Sequence, residues 1–200
     1  MNVITISREF GSGGRELGKR LADIPGYTYY DREIEADIAK RLDMDEGYIS
    51  RSIEQGAVMN IPLHFGRTLA SPYMLRQQID IPVEKQRVLK EIAATSHCVI
   101  VGRAADVILA EHKPFKIFVY ADMQHKIKRC QSYSAPGENL TPGELKKSIK
   151  KMDAKRREYL TMFGVSDWGD KKNYHLCINT TGMEIKKIAP HIAEYAKEWF

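Results

Sequence analysis

A short apolar run, Val3-Ile4-Thr5-Ile6, leads into the turn Gly11-Ser12-Gly13-Gly14, and a segment of helical period from about Arg15 to Ile24 then stops at Pro25-Gly26. Strand, glycine turn and helix in that order constrain the fold more than any other feature of the chain. A phosphate group needs several backbone N–H donors converging on it. Glycines let the chain fold tightly enough to aim them, and the helix N-terminus adds its dipole. A strand feeding a helix in this way is also the opening unit of a parallel α/β sheet.

The rest of the chain continues the alternation. Apolar runs recur at Tyr27 to Tyr30, Cys98 to Val101, Lys116 to Tyr120 and Tyr174 to Ile178, each short and rich in β-branched or aromatic residues. They read as strands, and the longer segments between them read as helices. The expectation is a doubly wound α/β fold: a five-stranded parallel sheet in three layers, with helices on both faces. From Glu184 to Phe200, Ile185, Ile188, Ile192, Tyr195 and Trp199 recur at spacings of three and four, which predicts a closing helix packed on the sheet. Thr141-Pro142-Gly143-Glu144 predicts a helix start, with a hydroxyl cap, proline in the first turn and glutamate closing the capping box. The turn-rich stretch before it, Ser134 to Asn139, is expected to be mobile. Residues 43–80 show no clean period and read as an insert on the sheet.

Composition narrows the function classes. With 43% hydrophobic residues over 200 positions, the chain can bury one ordinary core without staples. Cys98, Cys130 and Cys177 are widely spaced and lack a CxxC or histidine context, so buried free thiols are expected rather than a disulfide framework or zinc site. No apolar run approaches the ~18 residues of a membrane span. Met1-Asn2 enters a strand directly, and a cytoplasmic protein is expected. The net charge of +5 points to an anionic partner. No aromatic-plus-basic module or recognition helix is visible, so a small nucleotide is expected rather than nucleic acid or membrane.

Two patterns compete for the loop. The dinucleotide fingerprint GxGxxG fits at Gly11 and Gly13 but meets Glu16 where the third glycine belongs, and Asp31 stands about where a ribose-binding acid would. This keeps a dinucleotide-dependent oxidoreductase among the alternatives. The triphosphate loop GxxxxGK[ST] needs a lysine for the transferring phosphate and a hydroxyl for magnesium. Here the lysine's place falls to Gly14 or, in a loop one residue longer, to Arg15, and Glu16 stands for the hydroxyl. Arginine is a physically sensible replacement, since a guanidinium clamps two phosphate oxygens at once. A module that binds nucleotide without catalysis is the other alternative.

The stretch CVIVGRAADVILAEHKPFKIFVYADMQHKIKR, Cys98 to Arg129, resembles the central part of the cytidylate kinases: a strand ending in Gly102-Arg103, a proline turn at Pro114, and a strand ending in Ala121-Asp122 before an arginine-bearing helix. With ISREFGSGG, Tyr29-Tyr30-Asp31 and Ile149 to Arg157, the resemblance covers nearly the whole chain and is closer to the cytidylate kinase-like family, whose loop is typically lysine-free. The chain departs from the kinases proper at Val101 and Ala104, where they carry aspartates, and at Arg32-Glu33 after the second strand.

The resemblance implies a single P-loop kinase domain over 1–200, an acceptor-binding insert at about 32–80 and a lid at about 130–157. It implies transfer of the γ-phosphoryl of ATP, with Mg2+, to a nucleoside monophosphate or similar small acceptor. Gly11, Ser12, Gly13, Gly14, Arg15 and Glu16 would hold the donor phosphates, Glu16 being also the candidate metal ligand. Arg103 and Asp31 would hold the acceptor, and Arg15, Arg129, Arg156 and Arg157 the transferring charge. Asp31 is equally suited to binding the acceptor, to acting as a base, to holding a metal-bound water or to capping the next helix.

Arg156 can be argued from spacing. At about 100° per residue from Thr141, Leu145, Ile149, Met152, Leu160 and Phe163 form one stripe with Arg156 in its middle. An inward charge needs a partner. For Arg157 the alternative to a place among the phosphates is a surface pair with Asp153, four residues before it. The histidines have no catalytic context and are expected to be structural or solvent-facing.

Overall fold

The computed structural model describes residues 1–55, 72–133, 140–165 and 167–200. Five strands, β1 (Val3–Arg8), β2 (Thr28–Tyr30), β3 (Cys98–Val101), β4 (Phe115–Tyr120) and β5 (Leu176–Asn179), form one parallel sheet in the order β2-β3-β1-β4-β5. Each expected apolar run is one of these strands. The central ones read as unbroken apolar runs because both of their faces are covered. β3 lies between β1 and β2, whereas the dinucleotide fold sets its second strand beside its first. This order removes the oxidoreductase reading of the loop.

The helices are α1 (Gly14–Asp23), α2 (Glu33–Leu42), α3 (Glu46–Gln55), α4 (Pro72–Thr95), α5 (Ala105–Ile108), α6 (Met123–Ser132), α7 (Pro142–Thr161) and α8 (Ile185–Lys197). On one face, Leu17 and Leu21 of α1 and Ile185, Ala189 and Ile192 of α8 pack on Ile4, Ile6, Val99, Val101, Ile117 and Val119. On the other, Ile34, Ile38, Ile49, Val88 and Leu89 from α2, α3 and α4 cover Val3, Cys98 and Ile100. A third cluster joins Phe118 and Trp168 to Leu160 at the end of α7.

The capping box forms as expected: Glu144 N–H donates to Thr141 Oγ1 at 3.3 Å, and Thr141 N–H donates to Glu144 Oε2 at 2.8 Å. The patternless stretch 43–80 contains α3 and the start of α4. The period of α4 is hidden because Pro82 interrupts it and because its buried side carries Glu84 and Lys85. Residues 56–71 and the expected mobile turn at 134–139 lie outside the described residues. Among the described residues, no helix is long and apolar enough to cross a membrane. The three cysteines are unlinked; Cys98 is buried, whereas Cys130 and Cys177 are only half-buried.

Candidate functional site

The cleft is built where β1 ends. Beyond Arg8 the chain turns through Gly11 (φ 76°) and Gly13 (φ 86°), both left-handed, and α1 begins at Gly14. A Cβ on Gly13 would lie 2.5 Å from Arg129 Nη1, and one on Gly11 would lie 3.0 Å from Cys130 Sγ. Only glycine fits either position. Ser12 is buried beneath the loop; its Oγ donates to the Glu9 carbonyl at 2.8 Å, and its own carbonyl accepts from Thr180 Oγ1 at 2.7 Å.

Beside the loop, three guanidinium groups converge on the buried carboxylate of Asp31. Arg15 Nε is 2.6 Å from Oδ2, while Arg103 Nη2 and Arg8 Nη2 are 3.6 and 3.8 Å from Oδ1. Arg103 also reaches Glu35 Oε1 at 2.6 Å, and Ser50 Oγ donates to Glu35 Oε2 at 2.6 Å. Burial, and then the nearby Arg156, pull the Arg8 guanidinium down to about 9. The segment presenting Arg103 is left-handed at three consecutive residues, Gly102 (φ 77°), Arg103 (φ 61°) and Ala104 (φ 56°). That conformation costs about 1–2 kcal/mol per non-glycine residue and persists only where its surroundings hold it.

Two further helices close the cleft. Arg129 of α6 lies against Gly13 and donates from Nη1 to Thr180 Oγ1 at 3.5 Å. Arg156 of α7 turns inward, as its place in the stripe predicts, and donates from Nη1 to the Arg8 carbonyl at 3.0 Å. Buried Lys126 sits between Glu9 and Asp153, 3.1 Å from each, and Asp153 Oδ1 accepts the Phe10 N–H at 2.6 Å. The alternative surface pair of Asp153 with Arg157 gives way to these contacts. Arg157 instead lies over the Trp168 ring, 5.6 Å from its centroid.

Residues 3–182 match the model of the cytidylate kinase-like family. The chain belongs to that family. Its backbone is similar to that of an uncharacterized protein from Eubacterium ventriosum (TM-score 0.71, 24% identity, covering 98% of this chain and 99% of the other). It is also similar to the shikimate kinase of Bacteroides thetaiotaomicron (0.57, 14%, covering 98% of each). The shikimate kinase of Acinetobacter baumannii in complex with shikimate follows (0.54, 11%, covering 99% and 94%). The fold is that of the P-loop kinases. No curated protein matches the sequence.

In this cytidylate kinase-like chain, Gly11, Gly13, Gly14, Arg15, Glu16, Arg103, Arg129 and Arg156 line one cleft of ≈ 850 Å³. Ser12 and Asp31 are buried beneath it. Arg157 lines a separate hollow with Tyr120 and Trp168. Asp31 does not cap α2, whose cap is Arg32 without a side-chain bond. Sequence reasoning missed Arg8, Glu35, Lys85 and Lys126. Arg8 had a usable signal: counted back from Gly13, it stands where GxxxxGK has its first glycine. The other three are charged residues on buried helix faces, which a single sequence does not distinguish from solvated ones.

Among the described residues, the carboxylates that line the cleft are already paired. Glu16 pairs with Arg20 at 3.0 Å, and Glu9 is engaged by Lys126 and by the Ala121 N–H at 3.3 Å. No group of three His, Cys, Asp or Glu side chains stands together among the described residues. A magnesium ion that keeps most of its waters can instead be carried by substrate phosphates.

Proposed function

We propose that this chain transfers the terminal phosphoryl group of a nucleoside triphosphate, ATP in the first instance, to a small anionic acceptor such as a nucleoside monophosphate. The observation that carries this reading is the charge of the cleft. Among the described residues, Arg8, Arg15, Arg32, Arg103, Arg129 and Arg156 line it beside Glu9 and Glu16, with Asp31 buried beneath. Phosphoryl transfer asks a protein for positioning and charge stabilisation rather than covalent help. Cations gathered at the C-terminal ends of parallel strands, over a glycine turn and a helix N-terminus, supply both.

Within this reading, the loop amides and Arg129 bind the donor, and Arg103 binds the acceptor's anionic group. Asp31 holds the arginines in register before substrate arrives. Arg156, already bonded to the Arg8 carbonyl, ties α7 to the reacting centre and helps exclude water.

The test is ADP formation from ATP and magnesium with a panel of nucleoside monophosphates, nucleosides and hydroxy-carboxylates, beside an Arg103→Ala variant. Turnover that depends on an anionic acceptor and weakens in the variant supports the reading. A second reading, nucleotide binding without catalysis, is favoured by Gly14 in the lysine's place. ATP binding without turnover on any acceptor would select it.

A further inference from the structure

We infer that Arg8 takes the place of the lysine this loop lacks, its guanidinium holding the donor's terminal phosphate during transfer. The inference rests on the phosphotransferase reading above and adds to it a residue that the loop pattern does not name.

The span Arg8 to Gly14 has the length of GxxxxGK, with arginine at its first position and glycine at its last. A Cβ on Gly14 would lie 2.7 Å from Arg8 Cβ and 3.0 Å from Cγ, so the Arg8 stem fills the space a lysine at 14 would need. A Cβ on Gly102 would lie 1.7 Å from Arg8 Nη1 and 2.7 Å from Cζ. Two glycines from distant parts of the chain are thus fitted around one side chain.

The Arg8 side chain is 12% exposed, and its ion pair is with Asp31 at 3.8 Å, a carboxylate that Arg15 and Arg103 approach more closely. A desolvated cation with a shared and distant counter-ion favours any anion brought to it. Arg8 lies at the end of β1 and lines the same cleft as Gly13 and Gly14.

In the reaction, an acceptor oxygen lone pair forms the new bond to the terminal phosphorus. The bond from that phosphorus to the bridging oxygen breaks, and its electron pair leaves with the nucleoside diphosphate. Any proton on the acceptor passes to solvent. Arg8 exchanges no proton and supplies charge and two aligned donors to the equatorial oxygens.

The experiment is calorimetric titration of the full chain with magnesium ATP and magnesium ADP, without acceptor, alongside the turnover assay. The wild type is expected to bind the triphosphate about 10-fold more tightly than the diphosphate, the size of a charge-assisted contact. Arg8→Gly should bring the two within about 2-fold of each other, and adding Gly14→Lys should restore the preference, since the cation then returns to the lysine's place. A purely structural Arg8 would give no such restoration. Should Arg8→Gly fail to fold, Gly14→Ala displaces the Arg8 stem with its charge retained and should also abolish the preference. A preference that is absent from the wild type, survives in either single variant, or is not regained with Gly14→Lys overturns the inference. A wild type that shows the preference but no acceptor-dependent turnover overturns the phosphotransferase reading while the Arg8 contact stands. Failure to bind either nucleotide overturns both.

Discussion

Asp153 Oδ1 accepts the backbone N–H of Phe10 at 2.6 Å, across 143 residues of chain, while its Oδ2 meets Lys126 Nζ at 3.1 Å. A carboxylate on α7 therefore holds the glycine loop from behind, and Lys126 ties the same carboxylate to Glu9. The loop is braced by the two helices that flank the cleft.

Asp153→Ala removes the acceptor for Phe10 and one of the two counter-ions of buried Lys126. A loss of about 2–4 kcal/mol is expected in urea unfolding. Asp153→Asn keeps an acceptor near Phe10 and should lose about 1–2 kcal/mol. Unfolding midpoints equal to wild type in both variants would show that the brace contributes nothing.

Gly102→Ala should impair the cleft more than a glycine change usually does. It puts a side chain at φ 77° and a Cβ 1.7 Å from the Arg8 guanidinium. About 1–3 kcal/mol of destabilisation is expected, together with loss of nucleotide affinity as Arg8 moves. Gly26, also left-handed at φ 74° but with open space around it, is the control. Its alanine variant should show the conformational cost alone, and equal nucleotide affinity in the two variants would refute the steric argument.

Lys85 is 2% exposed, with its ammonium 4.5 Å from the Tyr159 ring centroid and 5.0 Å from that of Phe163. Burial first, and then Arg103, push it down to about 7 from 10.5. The unfolded chain therefore binds more protons between about pH 7 and 10.5, so this group makes stability rise with pH across that window. Below it the buried charge opposes folding by on the order of 5 kcal/mol. Lys85→Met should be more stable than wild type at pH 6, with the difference shrinking toward pH 10. A difference that stays constant from pH 6 to 10 would show that Lys85 does not titrate there.

Cys130 lines the cleft beside Gly11, whereas Cys177 lines the separate hollow near Trp168. Burial raises both thiols above their usual range, so alkylation should be slow at neutral pH and faster above pH 9. Saturating ATP should slow modification of Cys130 and leave Cys177 unchanged, read by peptide mass spectrometry. Equal protection of both would place the donor elsewhere.

The fold was legible because buried parallel strands write themselves as continuous apolar runs, and because the Thr141 capping box is a local signal with a local cause. Arg156 was legible for the same reason: a stripe at helical spacing fixes which way a residue on it points. Arg157, the next residue round the helix, faces Trp168 instead, and the stripe that fixes Arg156 does not include it. The loop spacing could have pointed to Arg8, but its fit against Gly102 could not be read, since only the pairing of β3 with β1 brings the two near. Glu35, Lys85 and Lys126 resisted reading because a charge on a buried face looks, in sequence, like one on a wet face.

The two glycines around Arg8 also limit how this loop can change over evolutionary time. Arginine at position 8 and any side chain at position 14 exclude each other, so neither position can drift alone. Aligned relatives should fall into two camps, one with arginine at 8 and glycine at both 14 and 102, the other with glycine at 8 and a free choice at 14. Passage between the camps requires a variant that carries neither cation.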